Sequence, residues 1–211
     1  MKRIILFGAP GAGKGTQADM LEKKYGYKKI STGDLIRAEV AAQTEVGLMV
    51  KAILEKGDLV SDAIVFEILK NRLAQSDIGD GYILDGFPRT KAQARELSRI
   101  KVDSEIAIHL KIRRKALITR RLLSRRTCGS CGAIFNLMLN PPKKMGKCDY
   151  CGNPVIKRAD DNKKTIGNRL RVYSKQTRPV ISYYRKKTLL RVVDASAPVS
   201  SVFETIVGIL N

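Results

Sequence analysis

The sequence predicts an α/β fold in which a five-stranded parallel sheet has helices on both faces and one small module is inserted. Short apolar runs alternate with longer amphipathic stretches, which is the pattern of strand, helix and strand units. This alternation of strand-like and helix-like stretches is interrupted between about residues 124 and 162, where four cysteines, Pro141-Pro142 and several glycines are concentrated. A chain of 211 residues is long enough for one sizeable core and one such insertion.

The elements follow from local patterns. Strands are predicted at five apolar runs, near residues 2–7, 28–30, 81–84, 105–110 and 190–193. Ser61 is a candidate N-cap for a helix that reaches about Leu73, and Thr90 is a candidate N-cap for a helix over 90–99. A further helix is predicted over 114–126, because its apolar residues recur at helical spacing.

A glycine-rich loop follows the first predicted strand. Residues 8–16 read G-A-P-G-A-G-K-G-T and precede a helix-like stretch. The glycines allow backbone N–H groups to point into one hollow, which the helix N-terminus and the ammonium of Lys14 also face. The loop therefore predicts a site for a phosphate chain, and the alternative is a turn without a ligand. The common motif has Ser or Thr after the lysine, whereas here Gly15 follows it and Thr16 comes next.

The positive charge is concentrated in the second half of the chain. The net charge is +20; residues 1–100 hold 16 Lys and Arg against 13 Asp and Glu, and residues 101–211 hold 24 against 7. The second half therefore calls for an anionic partner, either nucleic acid or a polyphosphate substrate. No apolar run is long enough for a signal-peptide core or a membrane span, so we expect a cytoplasmic protein without membrane association.

The four cysteines form two pairs, Cys128-Gly-Ser-Cys131 and Cys148-Asp-Tyr-Cys151, with sixteen residues between the pairs. Two C-x2-C knuckles at this spacing predict a tetrahedral zinc site, and a closed shell of four thiolates makes the metal structural. One alternative is two disulfides, which a reducing cytosol disfavours. Another is a nucleic-acid-binding zinc ribbon, which the charge would suit.

Six segments occur in a fixed order along the chain. They are G-A-P-G-A-G-K-G-T at 8–16, S-T-G-D at 31–34 with Arg37, G-D-L-V at 57–60, L-D-G-F-P-R-T at 84–90 with Gln93, R-L-L-S-R-R at 121–126 and K-R-A-D-D at 157–161. Together they resemble the adenylate kinases over essentially the whole chain. The cysteine module, with N-P-P at 140–142, resembles the zinc-bearing lid of the long-lid subset.

The resemblance implies a P-loop NTPase-like sheet and the reversible, Mg²⁺-dependent reaction ATP + AMP = 2 ADP, which serves adenine nucleotide homeostasis. It also implies a monomer whose partners are ATP, AMP and ADP. The implied parts are a core at 1–30, 61–123 and 162–211, an AMP-binding segment at 31–60 and a zinc lid at 124–161. The cofactors are structural Zn²⁺ on Cys128, Cys131, Cys148 and Cys151, and Mg²⁺ held through water by Asp85.

The resemblance also implies roles for single residues. The catalytic group is Lys14, Arg89, Arg125, Arg158 and Arg169. The ATP side is Gly11, Ala12, Gly13, Lys14, Gly15, Thr16, Arg121, Arg125, Ile134, Phe135 and Ala197. The AMP side is Thr32, Arg37, Asp58, Leu59, Val60, Gly86, Phe87, Pro88, Arg89, Gln93, Arg158 and Arg169.

Some of these residues have structural alternatives. Gln93 could complete a capping box with Thr90. Asp160 and Asp161 could cap the following helix or pair with Arg158. His109, the only histidine, is interpreted as structural, because a phosphate acceptor requires no general base. For the whole protein, the alternatives are a kinase for another nucleoside monophosphate and an RNA-binding zinc protein.

Overall fold

A computed structural model describes all 211 residues. Its main sheet has five parallel strands in the spatial order β2-β3-β1-β4-β8, with strands numbered along the chain. These strands are β1 (Lys2–Gly8), β2 (Lys28–Ser31), β3 (Gly81–Asp85), β4 (Ser104–Lys111) and β8 (Leu190–Asp194). The predicted α/β fold and all five predicted strands are confirmed.

Nine α-helices surround the strands or connect them. They are α1 (Lys14–Tyr25), α2 (Thr32–Ala41), α3 (Glu45–Lys56), α4 (Asp62–Leu73), α5 (Lys91–Leu97), α6 (Lys115–Leu123), α7 (Lys163–Val172), α8 (Arg178–Lys186) and α9 (Val199–Leu210). A short 3-10 turn covers Ser76–Ile78, and a π-helical segment, Tyr173–Thr177, joins α7 to α8. No helix has the length and apolar character needed to cross a membrane.

The two predicted N-caps are confirmed. The hydroxyl of Ser61 accepts a hydrogen bond from the backbone N–H of Ile64, and that of Thr90 accepts one from the N–H of Gln93. Both contacts are local and satisfy a backbone donor that has no partner within its own helix. The helix that follows Thr90 ends at Leu97, slightly before the predicted end at 99.

The helix predicted over 114–126 is too long. α6 ends at Leu123, and the next residues form strand β5 (Arg125–Cys128). This strand pairs antiparallel with β6 (Ile134–Asn136) on one side and β7 (Val155–Ile156) on the other. The apolar residues of the pattern end at Leu123, and residues 124–126 give no local sign of β5, because that strand is defined by partners that are distant in sequence.

The core lies on both faces of the main sheet. Alternate residues of β1 supply the two sides: Ile5 and Phe7 join one apolar cluster, while Ile4 and Leu6 join the other. This two-sided burial explains the nearly continuous apolar sequence of β1. The loops that follow β1, β2, β3 and β8 all leave from the carboxyl edge of the sheet, where ligands bind in folds of this type.

Candidate active site

The glycine-rich loop connects β1 to α1, and α1 begins at Lys14. Gly11 and Gly13 have φ values of 77° and 93°, in the left-handed region that favours glycine. The Nζ atom of Lys14 folds back over the loop and donates hydrogen bonds to the carbonyl oxygens of Gly8 at 2.9 Å and Ala9 at 3.1 Å. The ammonium therefore lies inside the curve of the loop, as the motif predicts.

The environment of Lys14 favours the loss of its proton. Burial lowers the pKa of Lys14 to about 8; the Asp85 carboxylate opposes this shift, while Arg89, Arg169 and Arg125 reinforce it. A cation at this position is stabilised by any anion that enters among these groups. A phosphate group that binds in the loop would therefore stabilise the charged form of Lys14.

Gly15 makes space for two other side chains. A Cβ atom on residue 15 would lie 2.9 Å from Cδ1 of Ile134 in the lid and 3.3 Å from Oδ2 of Asp85. The first distance is too short for carbon atoms in contact. A Ser or Thr at this position would therefore displace the end of the Ile134 side chain, and the Asp85 carboxylate lies against the same position.

We expect Gly15→Ala to weaken use of ATP without weakening the fold. Gly15 lies in the first turn of α1, where alanine is the better helix former by about 1 kcal/mol. The new methyl group displaces Ile134, so we expect kcat/KM for ATP to fall about tenfold with an unchanged or higher melting temperature. Steady-state kinetics and calorimetry measure both quantities.

Two further variants test whether the loss in Gly15→Ala comes from the contact with Ile134. Gly208→Ala in α9 is the matched control, because a Cβ there meets nothing within 4 Å. Adding Ile134→Ala to Gly15→Ala should recover part of the loss. Unchanged ATP kinetics in Gly15→Ala would show that the contact with Ile134 has no role in catalysis.

Two clefts meet at Lys14. The first is lined by every residue expected on the AMP side except Arg158: Thr32, Arg37, Asp58, Leu59, Val60, Gly86, Phe87, Pro88, Arg89, Gln93 and Arg169. The second is lined by every residue expected on the ATP side: Gly11, Ala12, Gly13, Lys14, Gly15, Thr16, Arg121, Arg125, Ile134, Phe135 and Ala197. Asp85 and Arg158 also line the second cleft, and Lys14, Arg37, Arg89 and Arg169 border both clefts.

Buried carboxylates organise the arginines on the lid side. Arg125 forms a fork with the fully buried Asp161, at 2.8 Å from Nε and 2.6 Å from its second nitrogen. Arg169 contacts Asp161 at 3.1 Å and Asp160 at 2.9 Å. Neither aspartate caps α7, because Asn162 caps that helix by accepting from the N–H of Thr165. The capping interpretation of Asp160 and Asp161 is therefore wrong.

Arg158 connects the lid to α2. Its guanidinium lies 3.2 Å from Oδ1 of Asp34 and donates from Nε to the Thr127 hydroxyl at 2.9 Å. The carboxylate that pairs with Arg158 is therefore Asp34, which also pairs with Arg37, whereas Asp160 and Asp161 pair with Arg125 and Arg169. Burial alone would raise the pKa of Asp34, but Arg37 and Arg158 outweigh it and hold that pKa well below its usual range.

Burial and mutual repulsion lower the pKa values of the clustered arginines. Burial, with the charge of Arg169, lowers the pKa of Arg89 to about 10, and burial with the charge of Arg37 lowers that of Arg158 to about 10. Arg89 is fixed by a hydrogen bond of 2.7 Å from Nε to the Gly86 carbonyl oxygen. A group of guanidiniums held in mutual repulsion is suited to a ligand of high negative charge.

The side chain of Gln93 forms its two hydrogen bonds with other residues of the chain. Its Oε1 accepts from the backbone N–H of Arg89 at 2.7 Å, and its Nε2 donates to Oδ1 of Asp62 at 2.8 Å. The capping box predicted with Thr90 is half present, because the amide reaches the N–H of Arg89 and not that of Thr90. Asp62 is a residue that the sequence motifs did not indicate.

Other residues near the clefts clarify individual predictions. Arg121 donates to the Ala195 carbonyl oxygen at 2.9 Å, which places it beside the loop after β8. Phe135 is 2 % exposed and packs with Cys128 and Cys148, so its ring also belongs to the lid core. Tyr173, in the π-helical segment, lines the first cleft and was not predicted.

His109 lies outside both clefts. Its Nε2 is 3.3 Å from the Tyr173 hydroxyl, and its pKa is lowered to about 4 by burial, with Lys111 and Arg185 adding to the shift. A neutral imidazole in this position fits the structural interpretation.

The four cysteines converge in the segment predicted as the zinc lid, residues 124–161, which keeps the name lid below. Their Sγ atoms all lie within 4.8 Å of one another; Cys128 and Cys151 are 3.4 Å apart, and Cys131 and Cys148 are 3.5 Å apart. These distances exclude disulfides, whose sulfur atoms are about 2.05 Å apart. They approach the edge of about 3.8 Å that Zn–S bonds of about 2.3 Å give in a tetrahedron. The cluster therefore fits a four-thiolate metal site.

Comparison with known proteins agrees with this arrangement. The family model described as "Adenylate kinase" matches residues 6–189. The chain is 46 % identical over 213 residues to an adenylate kinase of Thermodesulfovibrio yellowstonii, with 99 % of each chain covered. It is 48 % identical over 203 residues to one of Pelobacter propionicus, with 94 % of this chain and 92 % of the relative covered. It is 46 % identical over 211 residues to one of Methanosarcina acetivorans, with 98 % and 97 % covered. The chain belongs to the adenylate kinase family.

Proposed function

We propose that the two clefts divide the substrates of the reaction ATP + AMP = 2 ADP, with ATP beside the glycine-rich loop and AMP beside Gln93. The observation that carries this proposal is the shared border of the clefts at Lys14, Arg37, Arg89 and Arg169. Two phosphate chains that enter from opposite sides meet at this border. The positive charge there offsets their repulsion, and phosphoryl transfer needs chiefly positioning and charge stabilisation.

Each cationic residue has a distinct part in this proposal. Lys14 holds the transferring phosphate from the ATP side, and Arg125 reaches ATP from the base of the lid. Arg37 and Arg89 hold the AMP phosphate, while Arg158 and Arg169 contact the group in transit. A phosphate oxygen of AMP is the acceptor, so no side chain has to remove a proton.

The lid and α2 carry the ion pairs that would rearrange when nucleotides bind. Asp34, Asp160 and Asp161 form ion pairs with Arg37, Arg158, Arg125 and Arg169. Nucleotide phosphates would compete for the same guanidiniums and hold the lid against the core. Closure excludes water, which would otherwise accept the phosphoryl group.

The residues also fit two metal ions. Asp85 lies beside Gly15 and electrostatically close to Lys14, where its carboxylate would hold Mg²⁺ through water. Mg²⁺ would supply positive charge to the phosphate chain of ATP. The four cysteines would hold Zn²⁺, a tie within the lid that takes no part in the chemistry.

The proposal has a direct test with a substrate panel. The chain should form ADP from ATP and AMP in the presence of Mg²⁺, and UMP, CMP and GMP should be poor acceptors. Efficient transfer to another monophosphate would favour the alternative of a different nucleoside monophosphate kinase, which would share the phosphate contacts. We place the enzyme in the cytoplasm as a monomer, and size measurement in solution tests the second point.

Arg89→Ala should affect AMP more than ATP. Its guanidinium borders both clefts and is fixed toward the loop of Gly86, so its loss removes a charged hydrogen-bond donor from the AMP phosphate. Charged hydrogen bonds of this kind are worth about 1.5–3 kcal/mol, so kcat/KM for AMP should fall about 10- to 100-fold. We expect a smaller rise in KM for ATP.

Arg95→Ala is the matched control for this experiment, because Arg95 is an exposed residue of α5. It should leave all kinetic constants unchanged. Equal losses for ATP and AMP in Arg89→Ala would contradict the placement of Arg89 on the AMP side.

RNA binding is a second candidate activity, supported by one surface feature. No carboxylate occurs between Asp161 and Asp194, and this stretch carries nine exposed cations: Lys163, Lys164, Arg171, Lys175, Arg178, Arg185, Lys186, Lys187 and Arg191. Polyphosphates neutralise the cations of the clefts but not these. Retention on immobilised RNA above about 0.1 M salt would support this activity, and release below it would exclude it.

A further inference from the structure

The amide of Gln93 is held in one orientation by two partners of opposite character. The Asp62 carboxylate can only accept a hydrogen bond, so it requires the amide nitrogen. The backbone N–H of Arg89 can only donate one, so it requires the amide oxygen. A rotation of the amide by 180° would place a donor against a donor and an acceptor against an acceptor. The orientation is therefore set by chemistry and not merely by packing.

These contacts leave part of the amide free. A primary amide has two N–H groups and two oxygen lone pairs, and each partner uses one of them. Gln93 lines the first cleft, whereas Asp62 is not among the residues that line it. A base in this cleft therefore meets an acceptor and a donor in a fixed order, and Asp62 can influence that base only through Gln93.

Purines differ in the edge that such an amide would contact. Adenine offers the donor N6–H beside the acceptor N1, which matches an amide oxygen and an amide N–H. Hypoxanthine and guanine offer the acceptor O6 beside the donor N1–H, which is the reverse order. A freely rotating amide could serve both edges, but a fixed amide serves one.

We propose that Asp62 is a positioning residue that fixes the Gln93 amide and thereby makes the AMP-side cleft select a 6-amino purine over a 6-oxo purine. The inference rests on the proposed function, because it takes the cleft beside Gln93 as the AMP site. Asp62 is well placed for this part, since it occupies the first turn of α4 and its other oxygen accepts from the Thr90 hydroxyl at 2.8 Å.

The test compares AMP with IMP, which differ in the purine at the 6-position and at the N1 proton. For Asp62→Ala we expect KM for AMP to rise about three- to tenfold, the range for loss of one orienting hydrogen bond. The ratio of kcat/KM for AMP to that for IMP should narrow by a similar factor. KM for ATP should stay within about twofold, because no ATP-side residue contacts Asp62.

Two other variants separate positioning from a general structural effect. Asp62→Asn keeps an acceptor of the same shape, so its AMP to IMP ratio should lie between those of the wild-type chain and Asp62→Ala. Glu67→Ala removes an exposed carboxylate from the same helix and should change neither the ratio nor KM for AMP. Melting temperatures of all three variants check that the fold is kept.

The outcomes distinguish this inference from the proposed function. If Gln93→Ala leaves KM for AMP unchanged, the proposed AMP site is wrong. If Gln93→Ala raises KM for AMP while Asp62→Ala leaves the AMP to IMP ratio unchanged, only the positioning of the amide is wrong. If Asp62→Ala does not fold, Asp62→Asn decides: the ratio should narrow at least about twofold, and an unchanged ratio overturns the inference.

Discussion

Lys14→Met is expected to abolish phosphoryl transfer and to leave the fold intact. Methionine keeps the length and apolar stem of the side chain but removes the only ammonium inside the glycine-rich loop. Loss of a single preorganised donor to developing charge costs about 10²–10³ in kcat, and loss of the full charge at the transferring phosphate should cost at least about 10³. A coupled assay for ADP measures this loss.

The fold should tolerate the change for an electrostatic reason. Lys14 is buried near Arg89, Arg169 and Arg125, so the ligand-free enzyme is relieved of repulsion when the ammonium is removed. Its two hydrogen bonds to the carbonyl oxygens of Gly8 and Ala9 are lost, which opposes that gain. We expect a nearly unchanged melting temperature. Lys24→Met, on the exposed side of α1, is the control, and normal turnover in Lys14→Met would refute the catalytic role.

The same lysine predicts a pH dependence. With a pKa of about 8 in the free enzyme, the ammonium is lost as the pH rises above this value. The kcat/KM for ATP should therefore fall above about pH 8. Bound phosphates restore a high pKa, so kcat at saturating nucleotide should persist to higher pH. Equal pH profiles for both constants would show that this lysine does not titrate in the free enzyme.

The features that the sequence predicts well are local ones. The apolar runs of the strands, the caps at Ser61 and Thr90 and the glycine-rich loop depend on residues that are neighbours along the chain. Each cap satisfies a backbone donor within one helical turn, and each strand shows its apolar pattern within a few residues. These features can therefore be recognised in a short stretch of sequence. The two C-x2-C knuckles are likewise local, and their sixteen-residue separation predicts their convergence.

The features that the sequence does not predict depend on partners far along the chain. Nearness in sequence suggested Arg158 as the partner of Asp160 and Asp161, yet these aspartates pair with Arg125 and Arg169. The end of α6 was misplaced because β5 forms only where β6 and β7 pair with it. Asp62 gave no local indication of its contact with Gln93. In each case the outcome depends on tertiary contacts, which a local sequence pattern does not reveal.

Gly15 combines a feature that is visible in the local sequence with contacts to residues that are distant in sequence. The sequence shows that the hydroxyl of the common phosphate-loop motif is absent at residue 15 and present at Thr16. The neighbours of this position are non-local, because a side chain there would displace the end of Ile134 and lie close to the Asp85 carboxylate. The departure from the motif is therefore visible in the sequence, while the residues that border it are known only from the fold.

Removal of the metal from the lid should lower thermal stability more than turnover. The buried apolar cluster of the lid contains only Cys128, Phe135 and Cys148, so the lid has almost no core apart from its cysteines. Cross-linking by four thiolates would replace that missing core. Cys128→Ser removes a buried ligand and leaves three, which a closed zinc site does not tolerate well.

We expect zinc removal or Cys128→Ser to lower the melting temperature by about 6–12 °C, the shift that a loss of about 3 kcal/mol produces in a chain of this size. Turnover at moderate temperature should fall much less, because the thiolates line neither cleft and the core carries the glycine-rich loop. Calorimetry with metal analysis measures the shift, and Ser130→Ala, which leaves all four thiols, is the control. Zinc-free protein with unchanged melting would show that the cysteine cluster does not stabilise the lid, and the contacts of Arg125 with Asp161 and of Arg158 with Asp34 would then hold these arginines without it.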